Sequence, residues 1–298
     1  MQKKNQLIGT FFLLGAAILW GFSFVFQNEG VDILDPFAFN GIRSLLGSVA
    51  LIPVILVLKI ISVKNGTYKK PTTQDTKKLL IAGFWCGLAL CIAGTLQTLG
   101  IKQGSGEAGF ITTIYIVFVP ILGIFLRQKI EGRVWIAVMM CFVGLYFLCG
   151  SFAFNINQIY LLLCAFFFAI HILVIDHFAP RVDGVKLSAL QFLVVGIIDC
   201  IIMCFVDMPT MHEVIECFWP NLAYSGFVSC SVAYTFQIIG QKYVSPALGS
   251  MLMSLESVFA VVGGWLLQGD AMSPLQIGGC AVIFAAIVLV QLPTKLTN

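Results

Sequence analysis

Long runs of apolar residues separated by short polar breaks make up most of the chain. A bilayer core about 30 Å thick is crossed by about 20 residues of helix, so each run predicts one membrane-spanning helix. The breaks contain turn-forming pairs such as Asp35-Pro36 and Ser245-Pro246. The ten predicted spans cover residues 7–26, 37–58, 79–99, 106–126, 134–150, 158–175, 187–206, 219–239, 247–268 and 275–292.

The first run resembles a signal peptide only in part. It follows Lys3-Lys4, but no small-residue cleavage site precedes Gln27, and the run is long enough to cross a bilayer. We therefore predict that it is the first membrane helix.

The basic residues lie almost entirely in alternate breaks, which predicts the orientation of the spans. With the N-terminus inside, Lys102 alone faces outside and Arg43 lies within a span. The positive-inside rule then places both termini in the cytoplasm and indicates a multi-pass protein of the cell inner (cytoplasmic) membrane. The basic residues on the inside are Lys3, Lys4, Lys59, Lys64, Lys69, Lys70, Lys77, Lys78, Arg127, Lys129, Arg133, Arg181, Lys186, Lys242 and Lys295.

The second half of the chain is a faint repeat of the first half. Residues 20–43 align without a gap on residues 168–191, at an offset of 148. Residues 97–102 align on residues 237–242, at an offset of 140. Five spans per half is an odd number, so the halves must enter the membrane from opposite sides. The prediction is a 5+5 inverted repeat, with residues 1–150 and 151–298 as its two units.

Composition supports a membrane protein and excludes several other classes. The chain is 59% hydrophobic and 10% charged, whereas soluble domains have about 45–50% apolar and about 25% charged residues. A net charge of +3 without a basic-aromatic stripe argues against nucleic acid. Nine of the ten cysteines fall in apolar runs, and no C-x-x-C pair or nearby histidine suggests a metal site. We expect neither a metal nor a cofactor.

Three segments resemble the drug/metabolite transporter superfamily in its ten-helix EamA-domain branch. They are distributed along most of the chain, between residues 19 and 270, and their order and spacing also match the family. The segments are Leu19-Trp20-Gly21-Phe22-Ser23-Phe24-Val25-Phe26 leading to Asp35-Pro36 and Arg43; Leu96-Gln97-Thr98-Leu99-Gly100 with Ala108-Gly109-Phe110-Ile111-Thr112 and Val117-Phe118-Val119-Pro120; and Leu255-Glu256-Ser257-Val258-Phe259-Ala260 with Gly264-Trp265-Leu266-Leu267-Gln268-Gly269-Asp270.

This resemblance implies an inverted repeat that exports or exchanges small metabolites by alternating access. It also implies that helices one to four and six to nine surround a central cavity, supported by helices five and ten. The chain departs from the family pattern at Ser257, where proline often follows the glutamate, and at Asp270, where glutamate is commoner. His171 replaces a small residue opposite Ser23. These departures leave the substrate open.

Glu256 is the sharpest candidate for a functional residue. It lies ten residues after Pro246, which is about 15 Å along a helix and close to the membrane midplane. A carboxylate there is costly and should face the bundle interior or water. A contact with substrate or protons and a structural hydrogen bond between helices both remain open.

Arg43 and Asp199 are predicted to lie at similar depths inside the outer boundary. Arg43 is seven residues past Pro36, and Asp199 is eight residues before Asp207. They could form an ion pair that lowers the cost of both charges. Arg43 could instead contact substrate, or extend its charge to the interface.

Further polar residues of the spans are candidates for substrate contact. They suit recognition of a small amphipathic solute, but they also suit hydrogen bonding between helices, and His171 could in addition titrate. These substrate-binding or coupling candidates are Trp20, Ser23, Gln97, Tyr115, His171 and Gln237.

The leading hypothesis is a secondary transporter, in the exporting direction, for small metabolites, amino acids or drugs. No phosphate-binding loop for ATP is present, so a proton or solute gradient would drive it.

One alternative is a membrane-embedded enzyme that processes a lipid or isoprenoid, although H-E-x-x-H and G-x-S-x-G motifs are lacking. A receptor or assembly protein is another alternative. The expected partners are a small-molecule substrate and membrane lipids, with protons as a candidate coupling ion and a homodimer as a candidate assembly.

Overall fold

The computed structural model of the protein describes residues 2–126, 132–149, 155–269 and 273–291, and all regular elements within these ranges are helices. Arg127, Lys129, Asp270, Lys295 and the predicted boundary between residues 150 and 151 lie outside the described residues. The α-helices are α1 (Gln2–Ile33), α2 (Pro36–Lys64), α3 (Thr73–Gly100), α4 (Ser105–Thr112), α5 (Tyr115–Phe125), α6 (Gly132–Cys149), α7 (Ile156–Phe178), α8 (Gly184–Val206), α9 (Met211–Cys217), α10 (Tyr234–Gln241), α11 (Pro246–Met253), α12 (Glu256–Gly263) and α13 (Pro274–Gln291). Short 3₁₀ turns cover Ile101–Gln103 and Ala179–Arg181, and π-helical turns cover Phe218–Leu222, Tyr224–Ala233 and Gly264–Gln268.

Most of these helices have the length and composition of membrane spans. Seven stretches of the described chain are long and apolar enough to cross a bilayer. An eighth is formed if Met211–Leu222 and Tyr224–Gln241, which meet at a bend of 46°, make one span. Two shorter apolar helices, Trp135–Gly144 and Pro274–Ala286, lie where the fifth and tenth spans are predicted. The chain is therefore an all-helical, multi-pass membrane protein, and the total of ten spans stays a prediction.

Equivalent helices in the two halves begin at equivalent residues. Asp35 accepts a hydrogen bond from the Phe37 amide and starts α2. Asp183, 148 residues later, accepts one from the Lys186 amide and starts α8. A carboxylate at this position satisfies an amide that has no partner within the helix and complements the helix dipole. The shared caps support the proposed repeat.

The fourth and ninth predicted spans are each interrupted near their middle. The fourth breaks between α4 and α5, and the ninth between α11 and α12. At the breaks the Ile116 amide donates to the Thr113 carbonyl and the Ser257 amide to the Ser254 carbonyl, three residues back in each case. The hydroxyls of Thr113 and Ser254 also donate to carbonyls within their own helices. Irregular backbone at membrane depth is tolerated where the protein covers it or where it lines a cavity.

Helices from the two halves pack directly against each other. α2 lies along α8, α3 along α7, α1 along α10 and α12, and α6 along α13. Glycines permit the closest approaches, as usual between membrane helices. A β-carbon at Gly47 of α2 would lie 2.5 Å from the Cys230 β-carbon and 3.0 Å from the Gly226 carbonyl oxygen.

The two ends of the bundle differ in charge. At one end, the segment around Lys69 and Lys70 lies beside Arg181 and Lys186, and Lys242 donates to the Val182 carbonyl. At the other end, Gln268 joins Glu29 to Ser105, and Gln158 donates to Glu107. The helix packing thus collects basic residues at one end and several acidic residues at the other.

We predict that Gly47→Ala destabilises the protein by about 1–3 kcal/mol, because the new methyl group overpacks the α2 contact with Gly226 and Cys230. The matched control is Gly278→Ala, because a β-carbon there meets nothing within 4 Å and alanine is the better helix former. Thermal unfolding in detergent should show a lower Tm for Gly47→Ala and no loss for the control. Equal Tm values would contradict the packing.

Candidate functional site

A small cavity with a volume of about 30 Å³ lies inside the bundle, between both halves of the chain. The helices α1, α2, α3 and α5 contribute from the first half, and α7, α10, α11, α12 and the segment Tyr224–Ala233 contribute from the second. The lining residues are Trp20, Phe24, Gln27, Arg43, Gln97, Tyr115, Phe168, Ile172, Ser229, Tyr234, Gln237, Met253 and Glu256. A volume of this size holds about two water molecules, so a larger solute fits only if the surrounding helices move apart.

Both helix breaks open onto this cavity. Tyr115 is the first residue of α5, and Glu256 is the first residue of α12; both line the cavity. The backbone stays helical through Ser254 and Leu255, so each break is a local tightening of one turn beside the cavity.

The Glu256 side chain is buried but has no partner of opposite charge. It is 5% exposed, and within the described ranges it forms no ion pair. The Tyr115 hydroxyl lies within interaction range of the carboxyl group, but it makes no hydrogen bond of standard geometry. The carboxyl group is therefore available to a solute in the cavity.

Arg43 brings the opposite charge to the same cavity. Its side chain is 6% exposed, and its Nε donates to the Asn40 Oδ1 atom at 2.9 Å. The guanidinium carbon lies 5.5 Å from the centre of the Phe39 ring, close enough for a cation–π interaction. The terminal amino groups of Arg43 have no hydrogen-bond partner in the described part of the chain.

Asp199 is joined to Arg43 through Asn40 and not by the direct ion pair that we expected as one possibility. The Asn40 Nδ2 atom donates to Asp199 Oδ2 at 2.5 Å, while the Asn40 Oδ1 atom accepts from Arg43. Thr95 donates to Asp199 at 3.0 Å and Cys91 at 3.6 Å. The similar depths of Arg43 and Asp199 bring them near each other, but the Asn40 side chain occupies the space between them.

Four polar atoms along the cavity wall are buried without a hydrogen-bond partner. They are Trp20 Nε1, Gln27 Oε1, Tyr115 Oη and Gln237 Oε1. Buried polar groups in proteins are nearly always hydrogen-bonded, so these four atoms are suited to bind solute or water. Trp20 also packs edge-on against Tyr234, with ring centres 4.6 Å apart.

Two of the sequence candidates lie outside the cavity lining. Ser23 accepts a hydrogen bond from Gln27 at 3.1 Å, and His171 pairs with Gln191 at 3.1 Å. His171 lies behind two cavity residues, with ring centres 6.5 Å from Phe168 and 6.0 Å from Tyr234. The other six binding candidates, namely Trp20, Arg43, Gln97, Tyr115, Gln237 and Glu256, line one cavity.

Sequence reasoning missed Tyr234 and Asn40. Tyr234 precedes Gln237 by three residues, and Asn40 precedes Arg43 by three, so each shares a helix face with a residue that was identified. This three-residue spacing is the sequence pattern from which both residues could have been predicted. The apolar wall formed by Phe24, Phe168 and Ile172 carries no comparable signal, because such residues occur throughout the spans.

Comparisons with known proteins give a consistent result. The sequence model of the EamA-like transporter family matches residues 7–150 and 155–292. The chain is 28% identical over 293 residues to a protein of Archaeoglobus fulgidus named an uncharacterized transporter, covering 98% of this chain and 88% of the relative. It is 24% identical over 289 residues to the uncharacterized transporter YoaV of Bacillus subtilis, covering 93% of this chain and 94% of the relative. A solved crystal structure with 17% identity superposes with a TM-score of 0.71 over 97% of each chain, which is a likeness of fold.

Proposed function

Since the chain belongs to the EamA-like transporter family, we propose that it is a secondary transporter that exports small zwitterionic metabolites by alternating access, amino acids being the simplest such class. Family membership and the transporter names of two relatives along nearly its whole length make it a membrane transporter. The observation that carries the finer proposal is that Arg43 and Glu256 line one cavity without pairing to each other.

The unpaired charges of Arg43 and Glu256 favour a solute that carries one negative and one positive charge. A guanidinium and a carboxylate that face one cavity attract a carboxylate and an ammonium group, respectively. A solute with both groups would neutralise both charges at once, where desolvation makes an unpaired charge costly. The rings of Trp20, Phe168 and Tyr234 provide an apolar wall for the rest of the molecule. A rigid aromatic wall beside a few polar groups is the usual design of a small-molecule site.

Alternating access would take place around this cavity. Under our division, residues 1–150 and 151–298 rock against each other as two inverted units. The breaks at residues 113–114 and 254–255 lie within one residue of equivalent positions at the offset of 140, and Tyr115 and Glu256 follow them and line the cavity. In transporters built from inverted repeats the site lies at the interface of the repeats, which supports this mechanism.

A gradient, and not ATP, would drive transport, because the sequence contains no G-x-x-x-x-G-K-[ST] loop. Glu256 is the proposed coupling residue. In this scheme it binds the ammonium group of the solute on one side of the membrane and a proton on the other. The two cargoes would then compete for one carboxylate, which couples their movements.

We further propose that both termini are cytoplasmic and that the protein resides in the cell inner membrane. The basic end of the bundle, with Lys69, Lys70 and Arg181, would face the cytoplasm, and the end with Glu29 and Glu107 would face outside.

Topology can be measured with reporter fusions made after Gly66 and after Gly104 in an inner-membrane host. A fluorescent protein that folds only in the cytoplasm should be bright after Gly66 and dark after Gly104, and alkaline phosphatase should show the reverse. The opposite pattern at both positions would contradict the orientation, while equal signals at both would contradict the span assignment.

We predict that Glu256→Gln lowers transport by about tenfold or more and abolishes its pH dependence, because the amide keeps the shape but neither binds an ammonium ion as strongly nor carries a proton. The assay is solute exchange in proteoliposomes at several pH values, with solutes taken from a thermal-shift screen of metabolites. Glu216→Gln is the control, because Glu216 is exposed on α9. Transport by Glu256→Gln with an unchanged rate and pH profile would remove Glu256 from the proposal.

A further inference from the structure

The side chain of Asn40 stands between two buried groups of opposite charge. It is 2% exposed, Asp199 is 0% exposed and Arg43 is 6% exposed. Its Nδ2 atom donates to Asp199 at 2.5 Å, and its Oδ1 atom accepts from Arg43 Nε at 2.9 Å. One amide therefore contacts an acid on α8 and a base on its own helix, α2.

Hydrogen-bond chemistry leaves this amide one orientation. An arginine side chain only donates, and an ionised aspartate only accepts. The amide oxygen of Asn40 must therefore face Arg43, and its nitrogen must face Asp199. If the amide were flipped, its nitrogen would face the donating Arg43 Nε atom and its oxygen would face the accepting Asp199 carboxylate, so neither contact could be a hydrogen bond.

Asp199 is itself held in place from α3. Thr95 donates to its two carboxylate oxygens at 3.0 and 3.2 Å, and Cys91 donates at 3.6 Å. Gly94 on the same helix makes room for the amide, because a β-carbon there would lie 3.3 Å from Asn40 Nδ2 and 3.4 Å from Oδ1. The network thus runs from α3 and α8, through Asn40, to Arg43.

Asn40 binds the Nε atom of the Arg43 guanidinium and does not contact its two terminal nitrogen atoms. Arg43 Nε is bound to Asn40, and the Phe39 ring lies 5.5 Å from the guanidinium carbon. The terminal amino groups, which make the paired contacts to a carboxylate, have no partner in the described ranges, and Arg43 lines the cavity. Asn40 does not line it.

We propose that Asn40 is a positioning residue that holds the terminal amino groups of Arg43 toward the cavity and keeps Arg43 from pairing directly with Asp199. This inference rests on the proposed function, since it assigns to Arg43 the carboxylate of a zwitterionic solute. Without the amide, the acidic group of Asp199 is the strongest attraction for Arg43, and the guanidinium turns away from the cavity.

The test is a comparison of binding to an amino acid and to its decarboxylated amine, with the purified full-length protein. The amino acid is the tightest binder in a thermal-shift screen, and the amine is its counterpart without the carboxylate. Wild-type protein should bind the amino acid at least about tenfold more tightly than the amine. Asn40→Ala should reduce this ratio to near one by weakening the amino acid alone. Asn28→Ala is the control, because Asn28 donates to the Ile101 carbonyl at the far end of α1.

A second variant keeps the test decisive if Asn40→Ala fails to fold. Gly94→Ala removes no polar group but displaces the Asn40 amide by a few tenths of an ångström, so it should lower the same ratio to a smaller extent. If both variants keep the wild-type ratio, or weaken both ligands equally, the positioning role is wrong. If wild-type protein itself does not distinguish the amino acid from the amine, the assignment of Arg43 in the proposed function fails instead.

Discussion

Charged groups inside a bilayer are costly unless they find partners, and the charged residues buried in this bundle fall into two sets. In one set the partners are complete: Asp199 accepts from Asn40, Thr95 and Cys91, and these contacts hold helices together. In the other set the partners are missing, and Glu256 and the outer nitrogens of Arg43 belong to it. Unpaired charges are expensive to keep in a membrane, and we propose that a solute supplies the missing partners.

Backbone N–H and C=O groups inside a bilayer must also find hydrogen-bond partners within the protein. Where α4 gives way to α5 and α11 to α12, the hydroxyls of Thr113 and Ser254 bond to nearby carbonyls, so the breaks are tolerated at depth. Tyr115 and Glu256 follow these two turns directly and line the cavity.

Much of the scaffold could be predicted from the sequence, because spans and caps are local features. The apolar runs marked the long helices, and Asp35-Pro36 marked the start of α2 where Asp35 caps it. The division into ten spans and two inverted halves stays a prediction. The sequence does not show which polar side chains on different helices form hydrogen bonds with each other, because these contacts depend on how the helices pack. Ser23 and His171 form hydrogen bonds with neighbouring glutamines. The spacing from Arg43 places Asn40 on the same helix face, but it does not show that Asn40 also contacts Asp199 on α8.

We propose that one cavity holds a fixed positive group, Arg43, and a fixed negative group, Glu256, apart for a zwitterionic solute. Counterflow into proteoliposomes of the wild-type protein tests it most directly. A labelled amino acid is taken up against internal unlabelled amino acid, its deaminated acid or its decarboxylated amine. Only the internal amino acid should drive uptake well. Equal exchange with the acid or with the amine would contradict it, because one of the two charges would then have no role in recognition.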